Sequence, residues 1–148
     1  FMDTGRVIET LNKAVSLEHA ACIQYKQHAL LVRGLWRKVY ADFFLEESRT
    51  AQEHAYKFGQ KIIALGGVPT IEVGTSERQS LDLGEMLQQR QAKQAYLDAL
   101  ALCEDDVALR NMLEDQVEKE QRDIEELELI LEQVQTAAVT PEIQLKVV

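Results

Sequence analysis

The stretch LNKAVSLEHAACIQYKQHALLVRG, Leu11 to Gly34, decides the fold. Leu11, Val15, Cys22, Tyr25 and Ala29 recur at the spacing of one helix face, and Val7 extends that face upstream. Gly34 is the residue type that most easily ends a helix in left-handed backbone. A first helix is therefore predicted from about Thr4 to Arg33. Glu18 does not match its neighbours: it falls on the stripe between Val15 and Cys22, where a core residue is expected. A carboxylate is rarely buried unless something pairs with it.

The same pattern returns downstream. Trp36, Tyr40, Phe44, Ala51, Phe58, Ile62 and Leu65 form a second helical stripe, stopped by Gly66-Gly67 and Pro69. Val68 to Ser80 holds Pro, Gly, Thr and Ser without strong periodicity and reads as a crossover. A third helix is predicted from about Leu81 to Cys103 on Leu83, Leu87, Leu97 and Ala101. A short joint near Glu104-Asp105-Asp106 leads to a fourth, from about Val107 to Gln135, on Leu113, Val117, Ile124, Leu127, Leu131 and Val134. Thr140-Pro141-Glu142 resembles a helix start, which adds a short C-terminal helix. Short joints make two antiparallel hairpins, and the longer segment between them must cross the bundle. The expectation is all-α: a four-helix bundle of two antiparallel pairs with one long crossover and a short C-terminal helix.

Composition agrees and excludes several classes. The chain has 148 residues, enough for one domain over 1–148 with a real core. Only two prolines interrupt it, so most of its length is free for helix. The formal charge of −9 and the absence of a basic patch argue against a nucleic-acid partner. An acidic surface can instead draw in cations. No apolar run approaches membrane-spanning length, and the start carries no charged-then-apolar leader pattern. Cys22 and Cys103 lack metal or redox spacing and are expected as reduced core thiols, which fits a cytoplasmic protein.

Three of the long helices carry a polar group on an apolar stripe. Glu18 is on the first, His54 on the second with Glu47 two turns earlier, and Glu120 on the fourth with Asp123 three residues on. The i, i+3 spacing of Glu120 and Asp123 lets both side chains reach one point. Each has a bland reading. A lone core histidine is more often hydrogen-bonded than ligating, Glu47 fits a solvated face, and the last helix is rich in surface acids. Together, at similar depth, they favour a metal between the helices, and carboxylates with an imidazole suit iron or manganese better than zinc. Tyr25 lies two turns from Glu18 on the same face, as core packing or as an electron donor. His28 is expected to support the site from outside the ligands, and His19 to be exposed.

These residues resemble the bacterioferritins of the ferritin-like superfamily over nearly the whole chain. LNKAVSLEHAACIQYKQHALLVRG is similar to the family's first helix, with its ligand glutamate at Glu18 and its QY pair at Gln24-Tyr25. EESRTAQEHAYKFGQKIIALGGVP (Glu46–Pro69) is similar to the second helix and the LxGxP turn. GEMLQQ (Gly84–Gln89) is similar to the start of the third, and MLEDQVEKEQRDIEELE (Met112–Glu128) to the last long helix. The resemblance implies two irons in each bundle, held by one Glu from each of two helices and an ExxH pair from each of the others. The first ExxH here is Ala51-Gln52-Glu53-His54, which keeps the histidine. The second is Glu120-Gln121-Arg122-Asp123, which keeps the glutamate and has Asp in place of His. The third helix has no acid between Glu85 and Asp98 where the family places a bridging glutamate; Gln89, Arg90 and Gln94 compete for that position. The family's haem-ligating Met falls at Gln52, which disfavours haem.

The resemblance therefore implies an altered site of one or two iron ions on Glu18, His54, Glu120 and Asp123, with Glu47. Its chemistry would be Fe(II) oxidation by O₂ or peroxide, followed by storage or detoxification in a large hollow homo-oligomer. The alternative is a metal-free shell or scaffold subunit, co-assembling with a related active one. In that case the Arg90 guanidinium fills the site and bonds the two glutamates. A DNA-protecting mini-ferritin fits less well, because that group places its ligands across a subunit interface.

Overall fold

The computed structural model describes residues 3–74, 92–103 and 105–147. Its described residues form four helices and no strand: α1 Thr4–Leu31, α2 Arg37–Ala64, α3 Ala92–Ala101 and α4 Val107–Val147. The predicted start of the third helix lies outside the described residues, as do Gln89 and Arg90.

α1 begins at Asp3, whose side chain accepts from the Arg6 N–H at 3.2 Å and so caps the first turn. It ends at Val32, ahead of Gly34 at φ +100°, a conformation costly for a residue with a Cβ. Arg37 then closes the hairpin. Its guanidinium donates to the carbonyls of Val32 and, at 3.2 Å, Leu30, which are among the acceptors a helix end leaves unpaired. α2 ends at a Gly66 of φ +87°. The predicted boundaries of both helices hold to within a turn. One stripe member does not: Trp36 is the N-cap residue of α2 and is 64% exposed. It precedes the first helical turn, so the face that begins at Tyr40 does not include it.

The crossover leaves α2 and runs along α1. Gly67 lies so close to α1 that a Cβ there would stand 2.7 Å from Ile8 Cγ2. The Asn12 carboxamide then holds this segment twice, donating to the Val68 carbonyl at 3.0 Å and accepting the Thr70 N–H at 2.8 Å. His19 Nε2 is 3.3 Å from the Thr70 carbonyl, and the Gly74 N–H donates to the Ser16 carbonyl at 2.9 Å. His19 is therefore half-buried by the crossover, not exposed as the helical wheel alone suggested.

α1 packs on α2, α3 on α4, and α1 on α3. Among the described residues, most of the buried apolar ones fall into two clusters. The larger gathers Leu11, Val15, Phe58, Ile62, Leu109 and Leu113 with their neighbours, at the end where α2 stops and α4 starts. The smaller holds Tyr25, Ala29, Val32, Phe44 and Leu127, at the α1–α2 turn. Lys61 ties α2 to the start of α4 across the larger end, with Nζ 2.7 Å from Asp106 Oδ2. Asp106 also caps α4, accepting the Leu109 N–H at 2.9 Å. The Lys61 hydrogen bond and this backbone bond hold the Asp106 carboxyl below its ordinary range. Burial pushes the neighbouring Cys103 thiol up, with Asp106 adding to the effect. Both cysteines are free thiols; Cys103 is buried, while Cys22 is half-buried with Sγ 3.4 Å from Ser48 Oγ.

Two further differences from the sequence reading stand out. Among the described side chains of α3, Tyr96 and Ala99 are buried, as is Cys103 just past its end, while Leu97 is 36% exposed and Ala101 is exposed. The true face is one residue out of phase with the predicted one. In α4 the predicted separate helix at Thr140-Pro141 is absent, and one helix continues to Val147. Proline inside a helix removes one N–H from the ladder and crowds the carbonyl four residues back, a local cost that the continuous helix bears.

Candidate metal centre

Between the two apolar clusters lies a polar layer. Its residues sit where each helix passes the middle of the bundle: Glu18 of α1, three positions past Val15; His54 of α2, four before Phe58; Glu120 of α4, seven past Leu113. All three are nearly inaccessible, at 2%, 6% and 8% exposed respectively. Each side chain offers one donor atom, and these atoms lie within 4.8 Å of one another. Three helices remote in sequence thus converge on one small volume, the spacing that a single bridging cation spans.

The internal geometry is asymmetric. Glu18 Oε1 lies 3.6 Å from His54 Nδ1, an ion-pair distance if the ring is charged and too long for a hydrogen bond. The same Oε1 accepts a hydrogen bond from the Tyr96 hydroxyl of α3. His54 Nε2 is buried and has no hydrogen-bond partner among the described residues. An unsatisfied buried imidazole nitrogen costs about 1–3 kcal/mol, and a cation held at that nitrogen would remove the cost. The donor set of two carboxylates and an imidazole suits iron. The residues present therefore fit a metal ion.

The structure thus brings together three of the predicted ligands, Glu18, His54 and Glu120. Glu47 and Asp123 are half-buried and stand outside that close group. Tyr25 is 9% exposed in the smaller apolar cluster, its ring stacked on Phe44 at 6.2 Å and edge-on to His28 at 6.0 Å. His28 is fully buried in that aromatic cluster, 5.2 Å from the Phe44 ring.

Tyr96 is the residue sequence reasoning missed. It is fully buried, and its ring packs 5.1 Å from Phe58. The available signal was the phase of the third helix. Tyr96, Ala99 and Cys103 also keep helical spacing, but Leu97 is more apolar and drew the assignment away.

Gln52, the position at which haem ligation was in doubt, is exposed. It lines a groove of about 1270 Å³ on the outer face of α1 and α2, beside Ile23, Tyr56, Ile63 and Ile71.

A four-helix bundle with carboxylates and histidine at its waist defines a ferritin-like architecture. The ferritin-like domain model matches residues 8–137, and the chain belongs to that family. Among solved structures, a ferritin-like diiron-carboxylate protein of Bacillus anthracis is 32% identical. That alignment covers 87% of this chain and 97% of that one, at a TM-score of 0.74. The bacterioferritin-related protein of Bacteroides fragilis, described as a dodecameric thioferritin, has the same fold. It aligns at a TM-score of 0.83 and 23% identity over 94% of this chain and 92% of that one. Two curated relatives, the nutrient stress-induced DNA-binding proteins of a Synechococcus and a Nostoc species, are 29% and 32% identical over 66 residues. That stretch is 45% of this chain in both cases, and only 38% and 36% of those relatives' lengths.

Proposed function

We propose that the chain takes up Fe(II) as a substrate between its helices and oxidises it, for iron storage or detoxification. The observation that carries this reading is the convergence of Glu18, His54 and Glu120 within 4.8 Å, in a family whose solved members include a diiron-carboxylate protein. Glu18 and Glu120 supply anionic oxygen, which favours Fe(III) over Fe(II), and His54 supplies a neutral nitrogen. Glu47 and Asp123, on α2 and α4, would complete the set or hold a second ion. Two ferrous ions each give one electron to a dioxygen, which leaves as hydrogen peroxide with two protons from water. Tyr25, two turns along α1 from Glu18, would be a reserve electron donor. We also propose assembly into a hollow homo-oligomer in the cytoplasm, without a nucleic-acid partner. The dodecameric description of the same-fold Bacteroides fragilis protein supports the assembly, and the net charge of −9 supports the absence of DNA contact. Among the described residues, no helix is long and apolar enough to cross a membrane.

A second reading is a metal-free shell subunit, and one observation favours it: the Glu18 carboxylate already has a protein donor in Tyr96. Aerobic oxidation of Fe(II) by metal-free protein separates the two. Ferric absorbance rising above a buffer blank, and lost in Glu18→Ala, supports the ferroxidase reading. A rate equal to the blank for both proteins refutes it and leaves the metal-free subunit.

A further inference from the structure

We propose that Tyr96 is itself a ligand of the ferric ion, giving the site an iron–phenolate bond; this rests on the iron-binding reading above. Three helices of the bundle each contribute one donor to the close group, Glu18 from α1, His54 from α2 and Glu120 from α4. Among the described residues, Tyr96 brings α3 to the same point, with its hydroxyl on the very Oε1 that faces His54 Nδ1. Asp98, the acid nearest to it on α3, is exposed. Among the described residues, the oxygen that α3 delivers to the layer is therefore a phenol.

The surroundings suit that role. The ring is fully buried, and it is held against Phe58, four residues beyond His54 on α2. Its orientation is thus set by the same helix that sets the imidazole. Fe(III) prefers hard anionic oxygen, and a phenolate supplies it. Metal ligands must be deprotonated, so binding releases a proton. Here the phenolic O–H bond breaks, the proton passes to Glu18 Oε1, which already accepts its hydrogen bond, and then to water. The phenolate oxygen bonds the iron, and this exchange changes no oxidation state.

A phenolate bound to Fe(III) gives a visible charge-transfer band, which carboxylate and imidazole ligands do not. Metal-free protein is loaded with Fe(II) in air, freed of unbound iron, and assayed for iron content, visible absorption and tyrosinate modes in resonance Raman. We expect retained iron with a coloured band that vanishes in Tyr96→Phe and persists in Tyr25→Phe. Tyr96→Phe keeps the packing on Phe58, and its helical circular dichroism reports whether it folds. Retained iron without the band in the wild type overturns the Tyr96 assignment alone, as does a band that survives Tyr96→Phe. Failure of the wild type to retain iron overturns both this assignment and the functional reading beneath it.

Discussion

Asn12→Ala should cost about 2 kcal/mol, although Asn12 is a member of neither apolar cluster. Its carboxamide makes the two side-chain hydrogen bonds that fasten the start of the crossover to α1, to the Val68 carbonyl and from the Thr70 N–H. A hydrogen bond contributes about 0.5–1.5 kcal/mol net, so losing two costs about 1–3 kcal/mol. The two are unequal. Val68 is 79% exposed, and its carbonyl can turn to water, whereas Thr70 is half-buried and its N–H has less access to a substitute. Asn12→Asp keeps the acceptor for Thr70 and should therefore lose only about half as much. At about 2–4 °C per kcal/mol for a chain of this size, the alanine variant should melt about 4–8 °C lower. Urea unfolding of metal-free protein followed by helical circular dichroism, at fixed chain concentration, measures the difference. An alanine variant within about 0.3 kcal/mol of wild type would refute the reasoning. So would an aspartate variant as unstable as alanine, because the Thr70 bond would then carry none of the effect.

Other outcomes follow from single contacts. Gly67→Ala places a Cβ 2.7 Å from Ile8 Cγ2 and 3.0 Å from Ile62 Cγ2, and should cost about 1–3 kcal/mol in the same assay, as overpacking does. Asp106→Ala removes the α4 cap and the partner of Lys61, and should cost about 1–2 kcal/mol; Asp106→Asn, which still caps, should recover part of it. The folded state holds the Asp106 carboxyl below its ordinary value. Its contribution is therefore fully present above pH ~4 and is lost as the pH falls through the lowered value. The stability gap between wild type and Asp106→Ala should accordingly narrow from pH ~4 downward, as the pH falls through the lowered Asp106 value, which acid titration of the melting temperature checks. The acidic chain should leave the mobility of duplex DNA unchanged even at low salt, and a retarded band would contradict the proposed lack of a nucleic-acid partner.

The parts of this protein that are legible in sequence are those written in local periodicity. α1, α2 and most of α4 follow from stripes spaced three and four residues apart. Glu18, His54 and Glu120 were conspicuous because they interrupt those stripes with groups that water would otherwise keep. Helical spacing also supplied their common depth, since each lies between residues of the two apolar clusters. The face of α3 was hidden because two registers compete there, one led by Leu97 and the other by Tyr96. Hydrophobicity favours leucine, and the structure chose tyrosine, whose hydroxyl meets Glu18 78 residues away in sequence. Asn12 gave no sign of its role for the same reason, as its partners lie 56 and 58 residues downstream. Trp36 was misplaced because a stripe shows which face an aromatic residue would occupy, not whether the helix has yet begun.

Among the described residues the two apolar clusters are unequal, and the polar layer lies between them. Local opening is easier where fewer apolar groups are buried, so the two ends of the bundle should open with different free energies. Amide protons around the α1–α2 turn, from Tyr25 to Phe44, should exchange with deuterium well before those around Leu11, Phe58 and Leu113. Each transient fraying of the weaker half would lay the midsection bare from one side only. Glu18, His54 and Glu120, buried in the closed bundle, would thereby meet solvent intermittently from the side of the hairpin turn.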